Sequence, residues 1–300
     1  MSTNKRPNPP SVRQLNESSL HDFSQLTDGI VAEADLVSGL PEWRAPGLGA
    51  GGVWCPSLVS MLEEPNVRRA WHHVADNEGC AGVDGVAIAD LQPDNKFWSA
   101  WRRAERDLLA GQYEPGALLR VEIPKPNGDV RKLSIPGVMD RVVLQAAAQV
   151  IAPAWEPTFS PYSFAYRPGR GAQDAIRHAQ RALGSGDRWV VDLDIEKYFD
   201  NIDHGILLER LGERSGGRQS PLAVLVARFL KAPSFSRKYG RQRGMPRGIP
   251  QGSPLSPLLA NIFLDPFDQF LSSSGCSFAR YADDLMVMTI SKARGEEILN

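Results

Sequence analysis

The sequence predicts an α+β fold, and three patterns carry that prediction. Residues 118–123 and 130–135 alternate apolar and polar side chains around an Asn127-Gly128 turn, the signature of a β-hairpin. Residues 278–290 form a second such hairpin, with Tyr281-Ala-Asp-Asp284 at its middle. Helical segments are interspersed with these strands without regular strand–helix–strand alternation, which disfavours a doubly wound parallel sheet.

Each element has its own justification. Residues 1–50 read as a tail rich in Pro, Ser, Asn and Gly, with a short helix around 21–40 and a Gly-rich hinge at 45–52. Order begins near Pro56, where Leu58, Met61, Leu62, Val67, Ala70 and Trp71 fall at helical spacings. A turn-rich loop follows at 79–85. Trp98, Trp101, Ala104, Leu108 and Leu109 then make one face of an amphipathic helix over 97–110. After the first hairpin come a largely buried helix at 138–152 and a second helix at 172–183. A strand follows at 188–195, then helices at 206–211, 221–231 and 255–271. No internal repeat is present.

Composition narrows the class. Apolar residues make up 42% and charged residues 23%, which is ordinary globular usage. No stretch approaches the ~18–20 uninterrupted apolar residues of a membrane span. The first ten residues have no apolar run after their basic residues, so no secretory signal is expected. Cys55, Cys80 and Cys276 are too few and too scattered for a disulfide framework or a zinc site, and a cytoplasmic location is the expectation. The net charge is only -1, but the stretch from Arg228 to Arg247 holds seven Lys or Arg residues and no acid. On charge alone that run reads first as a solvated loop and second as a nucleic-acid contact.

Four carboxylates look wrong for a core. Asp192 and Asp194 interrupt an apolar strand two residues apart, so they point to one face. Asp283 and Asp284 sit between the apolar runs of the second hairpin. Unpartnered burial there is expensive, and adjacent carboxylates repel. Taken singly, either cluster reads equally well as a solvated strand end. If the two strands are neighbours, three carboxylates converge, an oxygen-only set suited to a pair of Mg²⁺ or Mn²⁺ ions. No His–Cys spacing competes for zinc, and neither a P-loop nor a Gly-x-Ser-x-Gly elbow is present; a Ser–His–Asp hydrolase remains open on residue counts.

Tyr281-Ala-Asp-Asp284 resembles the catalytic signature of reverse transcriptases. The resemblance extends through Gly82-Val-Asp-Gly85, Ile123-Pro-Lys-Pro-Asn-Gly-Asp-Val-Arg-Lys-Leu-Ser-Ile-Pro136 with Asp140-Arg141, Ser163-Phe-Ala-Tyr-Arg-Pro-Gly-Arg170, Asp194-Ile-Glu-Lys-Tyr-Phe-Asp-Asn-Ile-Asp-His204 and Gly248-Ile-Pro-Gln-Gly-Ser-Pro-Leu-Ser-Pro-Leu-Leu-Ala-Asn261. These blocks stand in the order of the group II intron-like bacterial family and span roughly residues 56–290.

The resemblance implies a right-hand polymerase: a flexible tail at 1–55, fingers at 56–185, and a palm with an antiparallel sheet at 186–300. It makes Asp194, Asp283 and Asp284 the catalytic metal ligands, adds the backbone carbonyl of Ile195, and leaves Asp192 as a decoy. Lys125 and Arg131 would clamp the triphosphate. Gln251 would face the incoming nucleotide. The ring of Phe199 would exclude a ribose 2′-hydroxyl, although by itself it fits a core aromatic equally well. Arg167 and Arg170 are candidate template contacts. Arg237, Lys238, Arg241 and Arg243 would track phosphates along the template–primer groove.

The implied function is RNA-directed DNA polymerisation with two Mg²⁺ ions, or Mn²⁺ in their place, on an RNA template, a DNA primer and dNTPs. Mobile-intron and phage-defence or CRISPR-adaptation enzymes share these motifs. A catalytically weak RNA-binding fragment of maturase type is the alternative, and an RNA-templated RNA polymerase is disfavoured by Phe199. Two departures stand out. Residues 131–136 read Arg-Lys-Leu-Ser-Ile-Pro where relatives usually have Arg-Pro-Leu-Gly-Ile-Pro. The sequence stops sixteen residues after Asp284, so the next palm block and the thumb are expected to be missing and processive synthesis weak.

Overall fold

The computed structural model describes residues 11–14, 55–92, 94–124 and 130–299. In chain order its elements are β1 (Ser11–Gln14), α1 (Leu58–Leu62), α2 (Glu64–Asp76), α3 (Ile88–Leu91), α4 (Asp94–Leu109), β2 (Leu118–Pro124), β3 (Val130–Ile135), α5 (Val138–Trp155), α6 (Ala172–Ser185), β4 (Trp189–Asp194), α7 (Tyr198–Asn201), α8 (His204–Arg214), α9 (Pro221–Leu230), β5 (Ser234–Ser236), β6 (Gly240–Gln242), α10 (Ser256–Ser273), β7 (Ser277–Tyr281), β8 (Asp284–Thr289) and α11 (Lys292–Leu299). The α+β class and the antiparallel sheet expected from the sequence are both present.

Two compact units share the chain. One combines β1, residues 158–198 and residues from 264 onward; the other combines the described residues between 42 and 157 with 199–263. Both are discontinuous in sequence.

The first unit is built on a four-stranded sheet in the order β1-β4-β8-β7, antiparallel at every pairing. One row of directly opposed residues crosses it: Val12, Val191, Val287 and Phe278. Val191, Phe278, Leu285 and Val287 join Leu271 of α10 in a buried cluster, with Leu193, Tyr162 and Ile298 packed around it. Helix α6 lies against β7, and α11 lies against β1, β4 and β8. Gly295 permits that approach, since a Cβ there would stand 2.7 Å from Val12 Cγ1 and 3.4 Å from Val191 Cγ2.

The second unit contains a smaller sheet in the order β3-β2-β5-β6, with β2 and β5 parallel and the other pairs antiparallel. Helix α5 is almost wholly buried and packs on α1 and α2. Trp71 of α2 stacks on Phe97 of α4 with ring centroids 4.5 Å apart, and Trp101 extends the stack. Side chains start the later helices: Asp203 accepts the Ile206 N–H at the head of α8, and Ser220 accepts the Ala223 N–H before Pro221 in α9.

Two sequence expectations differ from what the structure contains, and a third falls outside the described residues. The tail carries a strand, because Ser11–Gln14 pairs with β4 along its whole length. The helix expected around 21–40 and the hinge at 45–52 lie outside the described residues. The basic run is not plain loop: β5 and β6 form a hairpin within it, turning at Gly240 (φ 68°).

The helical half of the second unit is pinned by buried amides. Asn66 donates to the carbonyls of Met61 (2.9 Å) and Ala146 (3.1 Å), and Gln149 donates to the Asn66 side chain (2.7 Å) and carbonyl (3.0 Å). Asn66→Ala strips partners from several buried polar groups at once. We expect it to lower stability by about 1–3 kcal/mol, read as a lower urea midpoint with an unchanged denaturant slope.

Candidate functional site

The register of the first sheet brings the carboxylates together. β4 and β8 pair so that Asp194 stands directly opposite Asp284, and Asp192 opposite Met286. Directly opposed residues share a face, so Asp192, Asp194 and Asp284 all project from one side of the sheet. Tyr281 of β7 opposes Asp284 on its other flank. Ala282 and Asp283 make the turn between β7 and β8, and Ala282 has φ 59°. A tight hairpin with positive φ at its first central residue favours glycine there, so an alanine holds the turn under strain.

Electrostatics report the same crowding. Burial, then the charges of Asp283, Asp194 and Asp192, push the Asp284 carboxyl up to about 7. Asp194 is exposed at the end of β4, while Asp283 and Asp284 are partly buried. Among the described residues no three His, Cys, Asp or Glu side chains already close around one point as a metal-ligand group. The carboxylates share a face and a field through register and turn. This oxygen-only donor set fits hard divalent cations, whose charge relieves the repulsion that raises Asp284.

Asp192 is answered from the edge strand. The Arg13 Nε of β1 donates to Asp192 Oδ2, closing an ion pair at the sheet edge. Asp194, two residues further along the same face, lies at the open end next to the turn. Ile195 follows it just past β4 and is half-buried.

The expected nucleotide-contacting residues belong to the second unit. Arg131 lies on β3, half-buried, and its main chain pairs with Ile123. The Gln251 carbonyl accepts from Ser134 N–H of the same strand at 2.7 Å. Upstream, Ile249 N–H donates to the Phe199 carbonyl and Gly248 N–H to the Ile202 carbonyl, both at 2.7 Å. His204 Nε2 donates to the Gly248 carbonyl at 2.6 Å. Gly248 has φ 89°, and a Cβ there would meet the Asp200 carbonyl oxygen at 2.7 Å, so only glycine fits. Phe199 is 9% exposed. Lys125 lies outside the described residues.

The basic candidates separate. Arg167 is 7% exposed and donates to the carbonyls of Ser160 (2.6 Å) and Ser163 (2.8 Å), so its guanidinium is used inside its own loop and is not presented to a template. Arg170 donates to the Pro161 carbonyl at 2.6 Å. Arg237, Lys238, Arg241 and Arg243 are exposed on or beside the β5–β6 hairpin, with Tyr239 60% exposed at its tip.

Sequence reasoning missed four residues beside the carboxylates. Arg13 lies in a segment read as tail. Arg280 and Asp268 form a fully buried ion pair, with side chains 1% and 0% exposed. Tyr198 is buried, and that burial holds its hydroxyl far above the usual phenol range, with Arg280, Asp283 and Asp268 as its charged neighbours. The available signal was Arg280 itself, a cation inside the apolar run before Tyr281.

The family model described as "Reverse transcriptase (RNA-dependent DNA polymerase)" matches residues 123–300. The chain belongs to the reverse transcriptase family. The chain is 36% identical over 194 residues to Protein YkfC of Escherichia coli (strain K12), covering 63% of this chain and 49% of that protein. It is 34% identical over 230 residues to the group II intron-encoded protein LtrA of Lactococcus lactis subsp. cremoris, covering 74% of this chain and 36% of that protein. It thus spans 49% and 36% of the lengths of these two curated relatives. Among solved structures it aligns with a chain of the partial Cas6-RT-Cas1--Cas2 complex at a TM-score of 0.48 and 23% identity, covering 84% of this chain and 42% of that one.

The Asp284 shift has a thermodynamic consequence. Its carboxyl titrates at about 7 in the folded chain against an ordinary value of 3.8. Between those values the folded state retains a proton that the unfolded chain has released. Stability of the metal-free chain therefore falls as pH rises through that window. Calorimetry in the presence of a chelator should give a melting temperature that climbs as pH is lowered from about 7.5 to about 5, and Asp284→Asn should flatten the slope. A parent chain with no such slope would refute the shift.

Proposed function

We propose that this chain is an RNA-directed DNA polymerase of the group II intron-like type, adding dNTPs to a primer 3′-hydroxyl. One observation carries the reading. In a chain of the reverse transcriptase family, Asp194 opposes Asp284 across β4 and β8, and Asp283 occupies the turn beside them. In the reaction the primer 3′-oxygen bonds to the α-phosphorus as the bond to pyrophosphate breaks.

Asp194, Asp283, Asp284 and the Ile195 carbonyl are the groups that would hold two Mg²⁺ ions, or Mn²⁺ in their place. Bound there, such ions supply Lewis acidity for the 3′-hydroxyl and charge neutralisation for the departing pyrophosphate. The protein's own part is to hold the carboxylates together on one rigid sheet face. Arg13 neutralises Asp192 and so leaves Asp194 as the available carboxylate on β4. Arg131, together with Lys125, provides cationic donors for the triphosphate. Gln251 borders the nucleotide, and Phe199 selects deoxyribose. The hydrogen bonds that tie Gln251 to Ser134 and Ile249 to Phe199 keep these two elements in a constant spacing.

Template and primer engage the exposed hairpin cations Arg237, Lys238, Arg241 and Arg243 through phosphates. Such contacts are independent of sequence and sensitive to salt. No helix among the described residues is long and apolar enough to cross a membrane, and we assign the chain to the cytoplasm, with its RNA and dNTPs. The same basic hairpin supports a second reading, RNA binding of maturase type without synthesis.

Two experiments divide these readings. On a primed RNA template with Mg²⁺ and dNTPs, Asp283→Asn should cut incorporation by about 10³-fold while circular dichroism and RNA affinity stay unchanged. Equal incorporation by parent and variant would overturn the polymerase reading. Replacing Arg237, Lys238, Arg241 and Arg243 together by Glu should weaken RNA binding and flatten the plot of log affinity against log salt by about 0.7–0.9 for each phosphate no longer neutralised. An unchanged slope would remove the hairpin from the nucleic-acid surface.

A further inference from the structure

We propose that the buried Arg280–Asp268 pair is a positioning clamp that fixes the peptide between Ala282 and Asp283, and through it the carboxylates of Asp283 and Asp284. The inference rests on the polymerase reading and adds a device behind its carboxylates. Arg280 is on β7 opposite Leu285 of β8, so it projects from the face of the sheet away from Asp284. Its Nε and Nη2 donate to Asp268 Oδ1 (2.7 Å) and Oδ2 (2.6 Å) of α10. Nη2 also donates to Ser163 Oγ at 2.8 Å. Nη1 donates to the Ala282 carbonyl at 2.9 Å. The Arg280 main chain is held as well, donating to the Tyr162 carbonyl and accepting from Phe164 N–H, both at 2.9 Å.

Stability alone does not require this arrangement. A buried ion pair seldom improves on well-packed apolar side chains of similar volume, and residue 280 shares its face with Phe278 and the apolar cluster. What the guanidinium adds is a link that apolar groups lack. One planar group joins α10, the 160–163 loop and the carbonyl of the turn. That carbonyl belongs to Ala282, which is 1% exposed with φ 59°. An alanine in this region gains by relaxing out of it, and relaxation swings the peptide that leads into Asp283. The bond from Nη1 holds that peptide in place. Asp268 in turn holds the guanidinium in one plane through two parallel donors.

The test uses the 300-residue chain and three readouts. Metal-free hydrogen exchange reports the turn, Mn²⁺ titration followed by electron paramagnetic resonance reports the carboxylates, and primer extension separates kcat from the dNTP KM. Arg280→Met combined with Asp268→Leu deletes both charges, and Arg280→Lys keeps the charge but lacks the fork. We expect each folded variant to exchange the amides of residues 282–284 about tenfold faster or more. Mn²⁺ affinity should fall about 10-fold, and kcat about 10²-fold, with KM for dNTP within about twofold of the parent. If the double variant does not fold, Arg280→Lys decides. A folded variant with parental exchange at the turn, and with Mn²⁺ affinity and kcat within about twofold of the parent, overturns the clamp. A parent that neither binds Mn²⁺ nor extends a primer removes the polymerase reading, and exchange at 282–284 then decides the clamp by itself.

Discussion

Asp194 and Asp284 stand directly opposite each other on adjacent antiparallel strands, an arrangement that a sheet resists because like charges across a ladder repel. The fold tolerates it because the opposite face leaves no choice of register. Val12, Val191, Val287 and Phe278 form one continuous apolar row beneath it, closed over by Leu271 and Ile298. A slip of one residue would carry Asp192 and Asp194 into that core and Val191 and Leu193 out of it. The apolar face thus sets the geometry of the polar one. Repulsion on the polar face leaves a demand for positive charge, which a proton on Asp284 meets in part and a divalent cation meets more fully.

The sequence made β2, β3, β4, β7, β8 and most helices legible because their periodicity is local. Both hairpins read from the sequence, the buried α5 and helix α10 follow from side-chain spacing within a dozen residues. The convergence of the carboxylates was legible only conditionally: each acidic pair alone reads equally well as a solvated strand end, and it is the pairing of β4 with β8 that sets Asp194 opposite Asp284. Long-range partnership was not legible. Ser-Val-Arg-Gln at 11–14 carries no strand signal of its own and becomes β1 only through β4. Arg13 and Asp192 are 179 residues apart, and no pattern links them. Arg167 stands in the sequence as a candidate template contact through the resemblance of its block alone. The loop around it folds back so that the Ser160 and Ser163 carbonyls consume its donors. The β5–β6 hairpin escaped for a different reason, since strands of three residues are too short to establish a period.

In the second unit, main-chain hydrogen bonds organise the motif residues more than side-chain contacts do. Gly248, Ile249 and Gln251 each engage a different partner, namely Ile202, Phe199 and Ser134. His204 secures the same strip from its side. This explains why the Gly-Ile-Pro-Gln-Gly block reads as a motif at all. Its glycine satisfies a steric limit against Asp200, and its remaining members are held through atoms that every residue possesses.

The strand order β1-β4-β8-β7 also bears on how the chain is made. β1 and its neighbour β4 are separated by well over a hundred residues, so the two can pair only after the long stretch between them has been synthesised. Even then β4 lacks the strand on its other side until the last described segment appears. The β7–β8 hairpin is local, but the pairings of β4 with β1 and with β8 close long loops. Folding of this kind is intrinsically slow and leaves unpaired strand edges waiting in the meantime. The two edges of β4 are therefore the ones left open longest while the first unit folds.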